Sequence, residues 1–199
     1  MIRRALKTDS SSLAILHAET LTTSFLAGLG FKFLNKLYTF LIKNEKVWVY
    51  EENNEIKGFI SFSENSSGMM KRFIVYCPMA IFYLTLNTIT HPSNIIKLLE
   101  TLKVPFQTKK LNKIILPDSE MLSLAVAPNC QISGIGSQLV FAVDKYSKEN
   151  YISEYKLFAG VTLESANRFH FKCGCTLISQ IRIHGQELSN LYVKKLNSH

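Results

Sequence analysis

The stretch Leu122 to Leu139, LSLAVAPNCQISGIGSQL, narrows most sharply what this chain can fold into. Leu122, Leu124, Ala125 and Val126 read as a buried strand. Pro128 carries no amide hydrogen, so strand pairing should stop there. Gln131, Ile132, Ser133, Gly134, Ile135, Gly136 and Ser137 follow, and then Leu139, Val140, Val143 and Tyr146 at helical spacing. Two glycines therefore stand where a buried strand hands over to a helix. The first turn of a helix leaves backbone N–H groups unpaired at the positive end of its dipole. Residues without a Cβ let a bulky anion approach that backbone. The arrangement predicts a cradle for a phosphate or pyrophosphate. It is not a dinucleotide fingerprint, because Leu139 stands where a third glycine is wanted, nor a P-loop, because no Lys-Ser or Lys-Thr pair follows.

These residues resemble the Gln/Arg-x-x-Gly-x-Gly/Ala motif of the GNAT superfamily of acyl-CoA-dependent N-acetyltransferases. The likeness extends outward through Glu120, Leu124-Ala125-Val126 and Pro128. It implies an α/β fold of GNAT type: a mixed, mostly antiparallel central sheet flanked by helices. It also implies that the backbone of Leu124, Ala125 and Val126 pairs with the pantetheine arm. The N–H groups of Gln131, Ile132, Ser133, Gly134, Ile135, Gly136 and Ser137 would hold the pyrophosphate. Acetyl-CoA is then a co-substrate, and a small amine accepts the acetyl group by direct transfer in a ternary complex.

Acyl transfer to an amine needs a base, because an alkylammonium keeps its proton at neutral pH. Glu120 heads the motif strand and resembles the position of the glutamate base in several GNAT enzymes; Asp118 and Glu64 are expected on neighbouring strand ends. The backbone N–H near Val126 would stabilise the oxyanion. A second resemblance runs from Ala166 to Cys175, where the family places an apolar-Tyr pair and a closing Gly-Phe. Here His170 stands in the Tyr slot, Leu163 where Asn is common, and Cys175 in place of Phe. His170 is thus the candidate acid for the departing thiolate, with an ordinary pKa near 6.5 leaving some imidazolium at pH 7; Cys173 and Tyr155 are weaker substitutes. The competing expectation is a catalytically weak or inactive acyl-CoA-binding module.

At 199 residues the chain reads as a single domain spanning 1–199. A net charge of +8 fits nucleic acid or an anionic cofactor equally. The basic residues are scattered and accompany no recognition helix or aromatic-basic stripe, so no nucleic-acid partner is expected. Cys77, Cys130, Cys173 and Cys175 include no CxxC pair, which predicts reduced thiols, no metal and a cytoplasmic location. The longest mostly apolar run, Phe73 to Leu86, is broken by Pro78 and too short for a membrane span.

Along the chain, Ile2 to Ala5 reads as an edge strand and Thr8-Asp9-Ser10 as N-cap choices for a helix that turns Leu13, Leu16 and His17 inward. A loop over 21–30 leads to a helix with Phe33, Leu34, Leu37, Tyr38 and Leu41 on one face. A hairpin turning at Asn53-Asn54 follows. Residues 69–116 fit no standard GNAT core and read as a helical insertion over the sheet near the acceptor side, or else as an extra core layer or a homodimer surface. A strand at Tyr155–Val161, a short helix at Ser165–Phe171 and a hairpin around Gly185 close the chain. The loop and second helix, Leu21 to Tyr38, look similar to bacterial GNAT members that acetylate amino sugars.

Overall fold

The computed structural model describes residues 1–22, 24, 26–78, 115–131, 133–184 and 187–196, the side chains of 183, 184 and 187 excepted. The described strands are β1 (Ile2–Arg4), β2 (Lys46–Glu52), β3 (Glu55–Ser63), β4 (Glu120–Val126), β5 (Glu154–Gly160), β6 (Thr176–His184) and β7 (Glu187–Lys195). They form one sheet in the order β1-β2-β3-β4-β5-β7-β6. Every neighbouring pair is antiparallel except β4 and β5, which run parallel. The mixed, mostly antiparallel sheet expected from the motif is therefore present, and β1 lies at its edge as Arg3-Arg4 suggested.

Helices cover both faces: α1 (Ser10–Thr20), α2 (Phe31–Asn44) and α3 (Met69–Tyr76) on one, α4 (Ile135–Glu149) and α5 (Glu164–Lys172) on the other. In α2 the buried residues Phe33, Leu34, Leu37, Tyr38, Phe40 and Leu41 recur at three- and four-residue intervals, the stripe a helix needs to lie on a sheet. Phe59 and Ala125 meet that stripe from β3 and β4. On the opposite face, Ile135, Leu139, Val140 and Val143 of α4 close on Ile60, Phe62, Met121 and Leu157. The β2–β3 turn places Asn53 and Asn54 at φ 52° and 60°, the left-handed pair that a tight hairpin favours.

Two expectations change. Asp9 stands at the N-cap of α1 but makes no side-chain capping bond there. Its carboxylate is taken by the Arg3 guanidinium at 2.7 Å and the Leu6 N–H at 2.7 Å. The motif strand begins at Glu120, as expected, where Ser63 of β3 pairs with it. The opening of the 69–116 segment packs on α2 instead of directly on the sheet: Phe73 is fully buried, with ring centroids 5.5 Å from both Phe33 and Phe40. The remainder of the expected helical insertion, 79–114, lies outside the described residues.

Gly58 of β3 is the least obvious requirement for this packing. A Cβ there would lie 3.0 Å from Ile135 Cγ2, 3.1 Å from the Ala125 carbonyl oxygen and 3.2 Å from Leu139 Cδ1. Only a bare backbone lets α4 settle on the sheet. Gly58→Ala is expected to lower stability by about 1–3 kcal/mol through overpacking, read as a lower thermal midpoint. Gly28→Ala, with nothing within 4 Å of the new methyl, serves as the control and should shift the midpoint far less.

Candidate active site

The site originates where β4 leaves β5. Their ladder consists of two residue pairs, Glu120↔Lys156 and Met121↔Leu157. Beyond Met121 the two strands part: β4 continues to Val126 on β3, and β5 continues to Gly160 on β7. A bulge accompanies the parting. Ser61 pairs with Ser123 but Phe62 pairs with Met121, so Leu122 is an extra residue on β4. Such an insertion bends and twists its strand.

Backbone alternation then decides which groups face the opening. The Ala127 N–H donates to the Lys57 carbonyl at 2.8 Å. In an antiparallel ladder bonded pairs alternate with unbonded ones, so Ala125 and Ser123 also spend their backbone groups on β3. Leu124 and Val126 turn theirs the other way, toward the gap. Of the three strand residues expected to hold a ligand, Leu124 and Val126 turn backbone groups toward the gap and Ala125 does not.

The loop after β4 delivers the rest. Gln131 bends its side-chain amide back to the Val126 carbonyl at 3.4 Å. Ile132 lies outside the described residues. Gly134 has φ 78° with open space where a side chain would project, and α4 starts at the next residue with no side-chain cap. The N–H groups of Ile135, Gly136 and Ser137 belong to the first turn and have no intrahelical acceptor. The two glycines turn out to serve different ends. A Cβ on Gly136 would meet the Phe169 ring at 3.2–3.3 Å, so this glycine admits α5 against α4, whereas nothing lies within 4 Å of a Cβ built on Gly134.

Glu120 lies beside Lys156, Oε2 to Nζ 3.8 Å, with side chains 17% and 11% exposed. Burial raises the Glu120 pKa above the ordinary carboxylate value, opposed by Lys156 and a hydrogen bond from Ser66. Burial likewise lowers the Lys156 pKa, opposed by Glu120 and Asp118. Lys156 also donates to the Pro117 and Asp118 carbonyls, which pins its ammonium at the strand head. Sequence reading missed Lys156. The signal was present, since a lysine between Tyr155 and Leu157 of a buried strand must point to the opposite face. Glu64 is turned away: its carboxylate accepts the Tyr146 hydroxyl and lies 3.5 Å from Lys46.

His170 of α5 is 8% exposed, and its Nδ1 is buried without a hydrogen-bond partner. Burial lowers its pKa to about 4. At pH 7 the imidazolium fraction is then about one in a thousand, which corrects the expectation of available imidazolium; a neutral ring still offers one N–H. The substitutes fare no better. The Tyr155 hydroxyl donates to Asp144 at 2.9 Å inside the core and burial drives its pKa upward. Burial also raises the Cys173 thiol. Asn167, which patterning overlooked, braces this end: its amide donates to the Gly160 and Leu163 carbonyls at 2.9 Å, and its oxygen accepts from Asn190 and Tyr192. Among the described residues no cluster of His, Cys, Asp and Glu suits a metal, and no helix is long and apolar enough to cross a membrane.

The buried imidazole makes a signed prediction. As pH falls, the unfolded chain takes up a proton near 6.5 and the folded chain only near 4. Stability is therefore full above 6.5 and is lost as pH drops toward 4, by on the order of 3 kcal/mol for this group. Denaturant unfolding across that range should show a shallower pH slope in His170→Gln, and the His170 ring resonances of the native protein should not titrate above pH 5.

No protein-family model and no curated protein matches the sequence. Solved structures do match, along nearly the whole chain. An N-acetyltransferase from Staphylococcus aureus is 16% identical, with 99% of this chain and 98% of that one covered at a TM-score of 0.60. The PaiA N-acetyltransferase of Thermoplasma acidophilum, in complex with coenzyme A, is 15% identical over 98% of each chain at 0.61. YncA of Salmonella typhimurium, with its cofactor acetyl-CoA, is 14% identical over 100% of this chain and 95% of that one at 0.59. Identities this low speak for architecture alone. With the parted β4–β5 pair and the glycine loop in place, this chain carries the GNAT fold of the N-acetyltransferases.

Proposed function

We propose that the protein is an N-acetyltransferase that moves an acetyl group from acetyl-CoA to the primary amine of a small acceptor, such as an amino sugar, in a ternary complex. The observation that carries this reading is the gap between β4 and β5 that ends on an uncapped helix start. Its chemistry fits the co-substrate: free strand amides suit an amide-bearing arm, and the N–H groups of Gly134, Ile135, Gly136 and Ser137 suit a pyrophosphate. Solved proteins of this fold are described with coenzyme A and with acetyl-CoA. Acetyl-CoA supplies the activated thioester; the chain's own residues orient it and move protons.

In this reading Leu124 and Val126 hold the arm by their outward-facing backbone, and the Val126 N–H stabilises charge on the carbonyl oxygen. Glu120 takes the amine proton, its raised pKa making it a stronger base than a free carboxylate. Lys156 holds that carboxylate in place. His170 offers a neutral N–H toward the leaving sulfur. A second reading, an acyl-CoA-binding module without turnover, is favoured by one observation: the imidazole in the Tyr slot is almost wholly unprotonated at neutral pH.

Calorimetric titration tests the cradle first. The wild type should bind acetyl-CoA, and Gly134→Glu should lose at least tenfold in affinity, since it forces a side chain into the left-handed region and sets a carboxylate against a pyrophosphate. Glu120→Gln separates the two readings. An enzyme should lose about 10²–10⁴ in kcat with acetyl-CoA affinity nearly unchanged, whereas a binding module has no turnover to lose. Activity should fall as pH drops through the Glu120 pKa, which lies above the ordinary glutamate value.

A further inference from the structure

A cavity of about 460 Å³ opens between the β1–β2 edge of the sheet and the C-terminal half of α4. Glu120, Lys156, His170 and the 131–137 loop take no part in its wall. Strand alternation builds one side of it. Ile2 pairs with Tyr50 and Arg4 with Trp48, and Lys46 stands two residues before Trp48. Ile2, Arg4, Lys46 and Trp48 therefore share one face, the face that α4 covers. Ala142, Lys145, Tyr146 and Glu149 supply the other side from successive turns of α4. A strand face covered by a helix calls for apolar side chains, yet Arg4 and Lys46 bring two cations there.

Each of these cations lies on a ring. The Arg4 guanidinium is 4.5 Å from the Trp48 ring centroid, and the Lys46 ammonium is 5.5 Å from that of Tyr146. The two rings meet edge to face at 5.4 Å. Tyr146 donates its hydroxyl to Glu64, which also lies 3.5 Å from Lys46. Lys145 has only Glu149, at 3.9 Å between exposed side chains. Arg3 spends its guanidinium on Asp9 and Glu51. Arg4 differs from all three. Among the described residues no carboxylate lies within 4.0 Å of it, and it donates to the Glu45 carbonyl at 3.3 Å. A guanidinium has five N–H donors, so most of those on Arg4 are unspent.

Four cationic side chains, Arg3, Arg4, Lys46 and Lys145, line this cavity against the single carboxylate of Glu149. Like charges gathered on one wall repel, and an anion in the cavity relieves that repulsion. A phosphate ester suits the wall better than a lone carboxylate. It carries about two charges and three acceptor oxygens on one centre, so a single group can meet the Arg4 fork and the Lys46 ammonium together. The volume is that of a small-molecule site and exceeds what a bare phosphate fills.

We propose that this cavity binds a small phosphorylated molecule, its phosphate on Arg4 and Lys46 and its organic part against Ile2, Ala142 and Tyr146. The proposal does not depend on the acetyltransferase reading. Trp48 is the only tryptophan of the chain, so its emission reports on the cavity directly. Glucose 6-phosphate serves as the probe, with glucose and citrate as controls. At about 0.15 M salt, which screens loose surface pairing, glucose 6-phosphate should change Trp48 emission saturably and glucose should not. Arg4→Gln and Lys46→Met should each raise its Kd about tenfold or more, with calorimetry as the second readout. Gly134→Glu, or saturating acetyl-CoA, should leave that Kd within about twofold, as expected of separate sites. No saturable response to glucose 6-phosphate, an equal response to glucose, or a response to citrate alone overturns the proposal. So does an unchanged Kd in either variant, or displacement of the sugar phosphate by acetyl-CoA, which would put it at the glycine loop. Failure to bind acetyl-CoA overturns the acetyltransferase reading and not this one.

Discussion

The rest of this structure depends on how briefly β4 and β5 stay together. Two residue pairs join them, Glu120↔Lys156 and Met121↔Leu157, and then each strand keeps only its outer neighbour. Backbone groups left unpaired inside a fold oppose it unless something meets them. The parting is therefore a standing demand for a ligand with amide-like groups. The bulge at Leu122 is what allows it: β4 bends away from β5 without giving up its ladder to β3.

The two ends of the gap then acquire different chemistry. At the wide end the chain passes Pro128, turns through the left-handed Gly134 and enters α4 with its first N–H groups free. That end is electropositive by geometry, without a lysine or arginine being spent on it. At the narrow end Glu120 and Lys156 sit side by side, shielded from water. Burial moves both pKa values toward neutrality, so the pair sits closer to proton exchange than the same two groups would in water. The head of β4 at Glu120, beside Lys156 of β5, and its tail at Val126, which leads to the uncapped helix start, are about six residues apart at roughly 3.3 Å each.

The helical faces are specialised as well. Under α4 the sheet packs by apolar contact, and Gly58 and Gly136 exist to let helices approach. Under α1 and α2 the layer contains His17, Tyr38, Ser61, Ser63 and Ser123 among its aromatic and aliphatic residues. Polar groups at such depth limit which arrangements of α1, α2 and β4 satisfy their hydrogen bonds. They also couple the loop at Ser24, through His17, to Tyr38 of α2.

Much of this was legible in order along the chain. The strand, Pro128, the glycine loop and the helix at Leu139–Tyr146 are local patterns, and local spacing alone determines which residues lie at a strand end, in a turn or at a helix start. Hence the place of Glu120 at a strand head, the glycine turn before a helix start and the mixed sheet followed from the sequence. Other features had no local signature. Whether Gly136 serves an anion or a ring depended on Phe169, far along the chain on another helix. The pairing of Lys156 with Glu120, the crowding at Gly58, the loss of imidazolium at His170 and the Ser24–His17–Tyr38 chain each require distant segments to be brought into register. Only the tertiary structure decides those, because burial and hydrogen-bond partnership belong to contacts across the sheet and not to neighbours along the chain.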